Sequence, residues 1–289
     1  MIQQSHLSQK KDFPDEDMKT LTTVFTCLQT FFQKATRFAI THETVCLCGL
    51  LALSLILKLL GHYLDPAIGR DGSFYCLTAH VWHETGRYDW GFPPLLLFIM
   101  KSGLARGFPV QSTAVAVNIL SGVLCTVIGY GIAKETTENK KIAILSAALF
   151  AVHPGINALS IEVGRDTLYL CLAGFSAWSI LAGLKRKSCL YWSIGGILCA
   201  FSLLTRHETL EFLPIVFVML LAGAAVRMIS WKQACLYAVC FYVFLAAVFC
   251  TALWGMGTET IIRQYKKYFS WQILRTQQQF SDLRPKEMK

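Results

Sequence analysis

The sequence predicts an all-α polytopic membrane protein, with about seven transmembrane helices and a large first outer loop that contains short amphipathic helices. Of its 289 residues, 54% are hydrophobic and only 16% are charged, whereas a soluble domain carries about 25% charged residues. The apolar residues form blocks, several of which reach the roughly 20 residues needed to cross a bilayer. Because the backbone in lipid must satisfy its own hydrogen bonds, such blocks indicate helices.

The chain divides into three predicted segments. Residues 1–43 form a polar tail and an amphipathic juxtamembrane helix, residues 44–256 a seven-helix module, and residues 257–289 a basic amphipathic tail. The apolar spacing within 20–41 fits a helix lying on the membrane surface, although a simple lead-in to the first span explains it equally well. The predicted spans are 44–62, 112–133, 142–158, 167–184, 190–205, 208–226 and 234–256.

The segment between the first two spans, 63–111, is too polar and too interrupted by proline to cross the membrane. Two stretches within it, 75–84 and 95–104, have the pattern of short amphipathic or re-entrant helices. This segment is therefore predicted to fold as a large loop beside the spans.

The net charge of +9 does not indicate nucleic-acid binding, because the basic residues lie mainly in short runs between apolar blocks. Such runs orient membrane proteins, and their excess in the N-terminal region, 134–141, 185–188 and 227–233 places these segments in the cytoplasm. With seven spans the basic C-terminal tail falls on the outer side, against this trend. The eleven cysteines lie mostly within apolar blocks and lack zinc-site spacing, which predicts neither a disulfide framework nor a metal cluster.

The three loops assigned to the outer side carry most of the candidate functional residues. Ionisable groups at membrane depth are costly and are therefore functional candidates, although charges that merely cap span ends in water are the alternative. A carboxylate can act as a general base, and arginine binds phosphate oxygens through two donors. The pattern suits an enzyme that transfers a group from a lipid-linked phosphate. The same residues could instead form an ion or proton pathway, which is an alternative function. The candidates are Asp65, Asp71, Glu162, Arg165, Asp166, Arg206 and His207.

Several short motifs follow one another in a characteristic order. Asp71, Tyr75 and Ala79 precede the run Gly86–Trp90 and the element Pro93-Pro94-Leu95; an HPG triplet at 153–155, the pair Arg165-Asp166 and the run LTRHE at 204–208 follow. In this order they resemble the GT-C superfamily of membrane glycosyltransferases. The similar branch comprises dolichyl-phosphate-mannose–protein mannosyltransferases and lipid A aminoarabinose transferases, and the resemblance covers roughly residues 44–256.

This resemblance implies transfer of a hexose or pentose, usually with inversion, from a polyprenyl-phosphate donor to a lipid, glycan or protein acceptor. The reaction would take place at the outer face of a plasma or inner membrane, or at the ER membrane in a eukaryote. By position, Asp71 would be the general base and Asp166 a second carboxylate that positions the acceptor or a metal. Candidates for the donor phosphate are Arg165, Arg206 and His207, and the remaining substrate-binding candidates are Tyr75, Glu162 and Asp65. The resemblance assigns no metal ligands and leaves a divalent cation open as a cofactor.

Structural roles compete with these assignments. Asp71 and Asp166 could be helix N-caps, and the basic side chains could simply reach toward the membrane interface. Two departures from the family pattern also matter: Gly72 stands where a glutamate is usual, and Gly91-Phe92 where a lysine is common. A catalytically inactive scaffold of this fold therefore remains an alternative. A lipid or solute transporter is another, although it would need polar groups within the spans and two repeated halves.

Overall fold

The computed structural model describes residues 41–66, 68–88 and 92–256, together with the single positions 26, 30, 266 and 270. Within them the chain forms helices joined by short connections. The α-helices are α1 (Glu43–Leu64), α2 (Arg70–Thr85), α3 (Pro94–Leu104), α4 (Val110–Thr137), α5 (Lys140–Val152), α6 (Pro154–Ile161), α7 (Asp166–Arg186), α8 (Cys189–Leu203), α9 (Phe212–Ala225) and α10 (Trp231–Met256), and a 3-10 helix spans His207–Glu211. The predicted all-α polytopic membrane fold is confirmed. The predicted juxtamembrane helix at 20–41 and the tail at 257–289 lie outside the described residues.

Five of the described helical segments are long and apolar enough to cross a membrane on their own: α1, α4, α7, α10 and the 3-10 helix together with α9. The predicted span 142–158 is not one straight helix. It is divided into α5 and α6, which meet at an angle of 47°. Pro154 begins α6 and His153 caps it, because its Nδ1 accepts a hydrogen bond from the amide of Ile156. Counted as one span, this pair brings the number to six.

The predicted span 190–205 corresponds to α8, which has only 15 residues. A helix of that length measures about 22 Å, less than the roughly 30 Å hydrocarbon core. The start of α8 lies near the end of α4, because Lys185, just before α8, pairs with Glu138, which follows α4. The end of α8 lies near the start of α7, because Arg206, just after α8, pairs with Asp166, the first residue of α7. Thus α8 runs from one end of the helical bundle to the other.

The connections between helices collect at two ends of the bundle. We call the end that holds connections 65–69, 162–165 and 204–206 the upper face, and the end that holds 138–139, 187–188 and 226–230 the lower face. Ion pairs link helices across the lower face: Glu43 pairs with Lys134 and Lys140, Glu135 with Arg186, and Glu138 with Lys185.

The two short helices of the first large loop pack beside α4 on the upper half of the molecule. Their boundaries, Arg70–Thr85 and Pro94–Leu104, confirm the predicted helices at 75–84 and 95–104. Ala79, Leu97 and Met100 are fully buried in this cluster. The backbone amide of Leu95 also donates to the carbonyl of Leu204, 3.0 Å away, which fixes the start of α3 against the end of α8.

A second core joins α8 to α10. Trp192 stacks on Tyr237 with ring centroids 5.3 Å apart, and both side chains are buried. Gly196 allows the two backbones to approach closely, because a Cβ at this position would lie 2.2 Å from the carbonyl oxygen of Phe241. Aromatic stacking and close backbone contact therefore hold the short helix α8 at the centre of the bundle.

Lys58 is fully buried on α1. Its ammonium donates to Ser54 Oγ and to Asn157 Oδ1, both 2.8 Å away. Asn157 belongs to α6, so this buried cation connects α1 to the helix that leads into the connection 162–165. A buried charge is tolerated only where hydrogen bonds replace its hydration.

Candidate active site

A polar cleft of about 360 Å³ opens on the upper face, where the first turn of α2 meets the connection 162–165 and Arg206. Six of the eight predicted site residues line it: Asp71, Tyr75, Glu162, Arg165, Asp166 and Arg206. Gly69, Gly72, Val163 and Gly164 complete the wall. Residues from three separate parts of the sequence thus line one cleft.

Asp71 and Tyr75 reach the cleft from α2, where a spacing of four residues places them one above the other on the same helix face. Tyr75 is only 4% exposed, and its ring packs edge-on against Phe92 at 4.9 Å. Burial raises the pKa of Tyr75; Arg165 opposes this shift, while the negative charge of Asp71 reinforces it. The phenol is therefore a neutral hydroxyl at the base of the cleft, within the electrostatic influence of the charged groups around it.

Gly72 brings α2 against the connection 162–165. A Cβ at this position would lie 2.8 Å from the carbonyl oxygen of Val163 and 2.9 Å from its Cβ. These distances are shorter than real Cβ contacts. The family pattern places a glutamate here, and in this chain Val163 occupies the space that its side chain would need.

Asn118, a fully buried residue of α4, shapes the connection from below. Its Nδ2 donates to the carbonyl oxygens of Glu162 and Gly164, at 2.7 and 2.8 Å. The two bonds turn these carbonyls toward the protein interior. They thereby set the path of the segment that leads to Arg165 and Asp166.

Arg206 bridges two carboxylates at the rim of the cleft. Its Nη1 donates to Asp166 Oδ1 at 2.5 Å, while Nε and Nη2 donate to the two oxygens of Glu208 at 3.2 and 2.9 Å. The hydrogen bonds that Arg206 donates to Glu208 raise the pKa of Arg206 above its ordinary value. The guanidinium also lies over the ring of Tyr169, 5.5 Å from its centroid. This cation is consequently fixed in place and remains charged at any physiological pH.

Two charged groups of the cleft, Asp71 and Arg165, differ from Arg206, Asp166 and Glu208 because they are not paired with each other or with those residues. Among the residues that the structure describes, neither the carboxylate of Asp71 nor the guanidinium of Arg165 makes an ion pair or a side-chain hydrogen bond. Asp71 lies on α2 and Arg165 directly precedes α7, so they approach the cleft from different elements. The site thus offers a carboxylate and a cation that are both available to a ligand.

Asp65 and His207 do not line the cleft. Asp65 is an exposed residue just after α1, and His207 is 8% exposed at the start of the 3-10 helix, next to Arg206. The alternative roles as N-caps do not hold either: Gly69 is the N-cap of α2 and Arg165 that of α7, so Asp71 and Asp166 lie within the first turns.

Sequence reasoning did not single out Gly69, Gly72, Val163, Gly164 or Asn118 as parts of the site. Asn118 had a usable signal, since a lone amide within an apolar span usually has a specific partner. The glycines and Val163 had no usable signal in the sequence, because their contribution to the cleft depends on contacts between residues far apart in the sequence. Asp89 and Trp90 of the run that follows α2 lie outside the described residues.

Three carboxylates line the cleft, but a metal site needs ligand atoms that converge on one point. In the described part of the chain, no group of three His, Cys, Asp or Glu side chains is arranged to hold a metal ion.

Comparison with known proteins gives two matches. The family model of dolichyl-phosphate-mannose-protein mannosyltransferases matches residues 92–254, which include Glu162, Arg165, Asp166 and Arg206 but not Asp71. The undecaprenyl phosphate-alpha-4-amino-4-deoxy-L-arabinose arabinosyl transferase of Pectobacterium atrosepticum is 27% identical over 158 residues, which make up 53% of this chain and 28% of that protein. Since the family model covers more than half of its length, this chain belongs to the dolichyl-phosphate-mannose-protein mannosyltransferase family.

Proposed function

We propose that this chain is a membrane glycosyltransferase that transfers a sugar from a polyprenyl-phosphate donor to an acceptor hydroxyl or amine in the upper-face cleft. The family membership and the name of the bacterial relative, which mentions undecaprenyl phosphate, support a lipid-linked donor. The observation that carries the proposal is the pair of unengaged opposite charges, Asp71 and Arg165, in one cleft. A lipid, a glycan or a protein could supply the acceptor.

In the proposed reaction, Asp71 accepts the proton of the acceptor hydroxyl or amine while the acceptor atom attacks the anomeric carbon of the sugar. The bond between that carbon and the phosphate oxygen breaks, and its electron pair leaves with the polyprenyl phosphate. Arg165 stabilises the charge that develops on this leaving group, since guanidinium groups bind phosphate oxygens in a planar, two-donor geometry. Attack from the side opposite the phosphate inverts the anomeric configuration.

Asp166 has a different part in this proposal. Its carboxylate is already bound to Arg206, so it is not the free base; it holds the guanidinium in position. Arg206 adds positive charge at the rim, and Tyr75 offers a neutral hydroxyl that can donate a hydrogen bond to the sugar or the phosphate. Glu162 lines the same cleft and provides a carboxylate on a side distinct from Asp71.

The first prediction concerns Asp71 and Arg165. With the protein reconstituted in vesicles that contain polyprenyl-phosphate sugars, we expect Asp71→Asn to lower kcat by about 100-fold or more, since a general base contributes about 10²–10⁴-fold. Arg165→Gln should lower kcat and also raise KM for the donor, since the guanidinium binds the phosphate and stabilises the charge that develops on it as it leaves. The measurement is release of polyprenyl phosphate. Glu84→Gln is the matched control, because Glu84 lies on the same helix, is exposed and pairs with His80 outside the cleft.

Wild-type turnover by Asp71→Asn would remove Asp71 from the role of base. The second candidate function is a binding scaffold without catalysis, and the closure of position 72 by Val163 favours it, because the usual second carboxylate has no room there. Saturable donor binding that Arg165→Gln weakens, with no sugar released from any donor, would select the scaffold.

A further inference from the structure

A second cavity, of about 690 Å³, lies on the lower face between the turn that joins α7 to α8 and the turn that joins α9 to α10. Lys187 lines it from the first turn, and Arg227, Met228 and Trp231 from the second. The candidate active site lies at the opposite ends of α7 and α9. This cavity is therefore separate from the cleft and plays no part in the proposed reaction.

The charge of this cavity is uncompensated. None of its lining residues is an aspartate or a glutamate, and in the described part of the chain neither Lys187 nor Arg227 makes an ion pair or a side-chain hydrogen bond. Four other cations of the lower face have a carboxylate partner: Lys134, Lys140, Lys185 and Arg186. Lys141 and Lys232 have none among the described residues, but they do not line the cavity. Two free cations that border one cavity favour an anionic ligand.

The backbone at these two positions adds an independent observation. Lys187 and Arg227 have φ angles of 50° and 61°, in the left-handed region where glycine fits without cost. The third described non-glycine residue with positive φ, Glu138, uses its side chain to bind Lys185. Lys187 and Arg227 each follow the end of a helix, where the helix dipole favours a cation, so the two helix ends that border the cavity both carry positive charge.

Ser230 and Gln233 of the cavity form a reciprocal cap at the start of α10: the Ser230 amide donates to Gln233 Oε1 at 3.0 Å, and the Gln233 amide donates to Ser230 Oγ at 3.2 Å. This cap occupies the hydroxyl of Ser230 and the side-chain carbonyl of Gln233. The side chains of Lys187 and Arg227 are the charged groups that the cavity offers to an anion.

Apolar side chains surround the same turn and point to the kind of anion. Val226, Met228 and Trp231 are 66%, 65% and 59% exposed at the end of two membrane helices. Tryptophan is enriched where a membrane protein meets the lipid headgroups. A soluble anion would gain nothing from these side chains, whereas a phospholipid places its phosphate on the cations and its acyl chains along the apolar surface.

We propose that the lower-face cavity binds the phosphate of an anionic phospholipid, with Lys187 and Arg227 as its two ligands. The bound lipid would connect the α7–α8 turn to the α9–α10 turn and so stabilise the packing of α9 beside the rest of the bundle. This site lies in the leaflet opposite the cleft. It is independent of the proposed transferase activity, and a failure of either proposal leaves the other intact.

The test compares the thermal stability and lipid retention of the full chain in nanodiscs of phosphatidylcholine with increasing fractions of phosphatidylglycerol. We expect phosphatidylglycerol to raise the Tm of the wild type and to be retained on the protein in native mass spectrometry. Each lost cation should weaken this binding about fivefold, hence Lys187→Gln/Arg227→Gln about 25-fold. Lys141→Gln is the matched control, because Lys141 is an exposed cation of the lower face that does not line the cavity.

Three results would overturn the proposal. The double variant could retain the preference for phosphatidylglycerol, or Lys141→Gln could lose it to the same extent, which would indicate only general attraction of charge. Inorganic phosphate added to phosphatidylcholine nanodiscs could raise the Tm as much as phosphatidylglycerol does, which would assign the cavity to a free anion. If the double variant does not fold, Lys187→Gln and Arg227→Gln alone provide the same comparison.

Discussion

At position 72 the backbone of α2 comes so close to Val163 that no side chain fits between them. This single contact joins the helix that carries Asp71 to the connection that carries Arg165. Gly72 stands where the sequence resemblance leads us to expect a glutamate. A glutamate at 72 would push the two elements apart, while Glu162 already brings a carboxylate to the cleft from the other side.

We therefore predict that Gly72→Ala lowers stability by about 1–3 kcal/mol, the usual cost of overpacking in a tight contact. The thermal unfolding of the purified protein in detergent measures it. Gly49→Ala is the control, since a Cβ at Gly49 meets no heavy atom within 4 Å and alanine is the better helix former. Equal Tm values for Gly72→Ala and the wild type would show that α2 can shift away from Val163 at no cost.

At the scale of elements, the segment from α6 to the start of α7 is held from two sides. Lys58 binds Asn157 on α6, and Asn118 binds the carbonyls of Glu162 and Gly164. The partners in these bonds are 99, 44 and 46 positions apart in the sequence. Hydropathy and local motifs do not contain such pairings, which is why the path of the connection was not predicted. The bend between α5 and α6 did have a local signal in Pro154, because helices usually end before a proline, and the interpretation of 142–158 as one span did not use it.

Asn118→Ala should loosen the connection 162–165 without unfolding the bundle. Two carbonyls lose their donor, a loss that costs about 1–3 kcal/mol for each unsatisfied buried group, although water at the cleft can replace part of it. We expect faster amide hydrogen exchange in residues 162–166, measured by mass spectrometry. Thr136→Ala serves as the control, because the hydroxyl of Thr136 bonds only within its own exposed helix end. Unchanged exchange in 162–166 would show that Gly72 and Val163 alone fix the connection.

At the scale of the whole molecule, the sequence predicted best those features that depend only on residues close together in the chain. A membrane span depends on the apolar character of about 20 neighbouring residues, so the bounds of α1, α4, α7 and α10 could be predicted closely. The charged residues of the cleft were found because charge near apolar blocks is itself a local signal, whereas Tyr75 was named only through the family resemblance. The length of α8 was also predicted closely, as 190–205. The contacts that hold so short a helix were not predicted, since those of Trp192 and Gly196 lie on α10.

The last prediction follows from the path of α8. If this helix crosses the membrane, its two ends lie on opposite sides, with Ser188 before it on the lower face and Glu211, an exposed residue after it, on the upper face. Cysteines introduced as Ser188→Cys and Glu211→Cys should then react from opposite sides of sealed, uniformly oriented vesicles. A maleimide that does not cross membranes measures this, as the labelling gained over the parent chain and its native thiols. Glu138→Cys is the control for the lower face, because it follows α4, the longest of the described helices that are apolar enough to cross a membrane. Labelling of Ser188→Cys and Glu211→Cys from the same side would mean that α8 does not span.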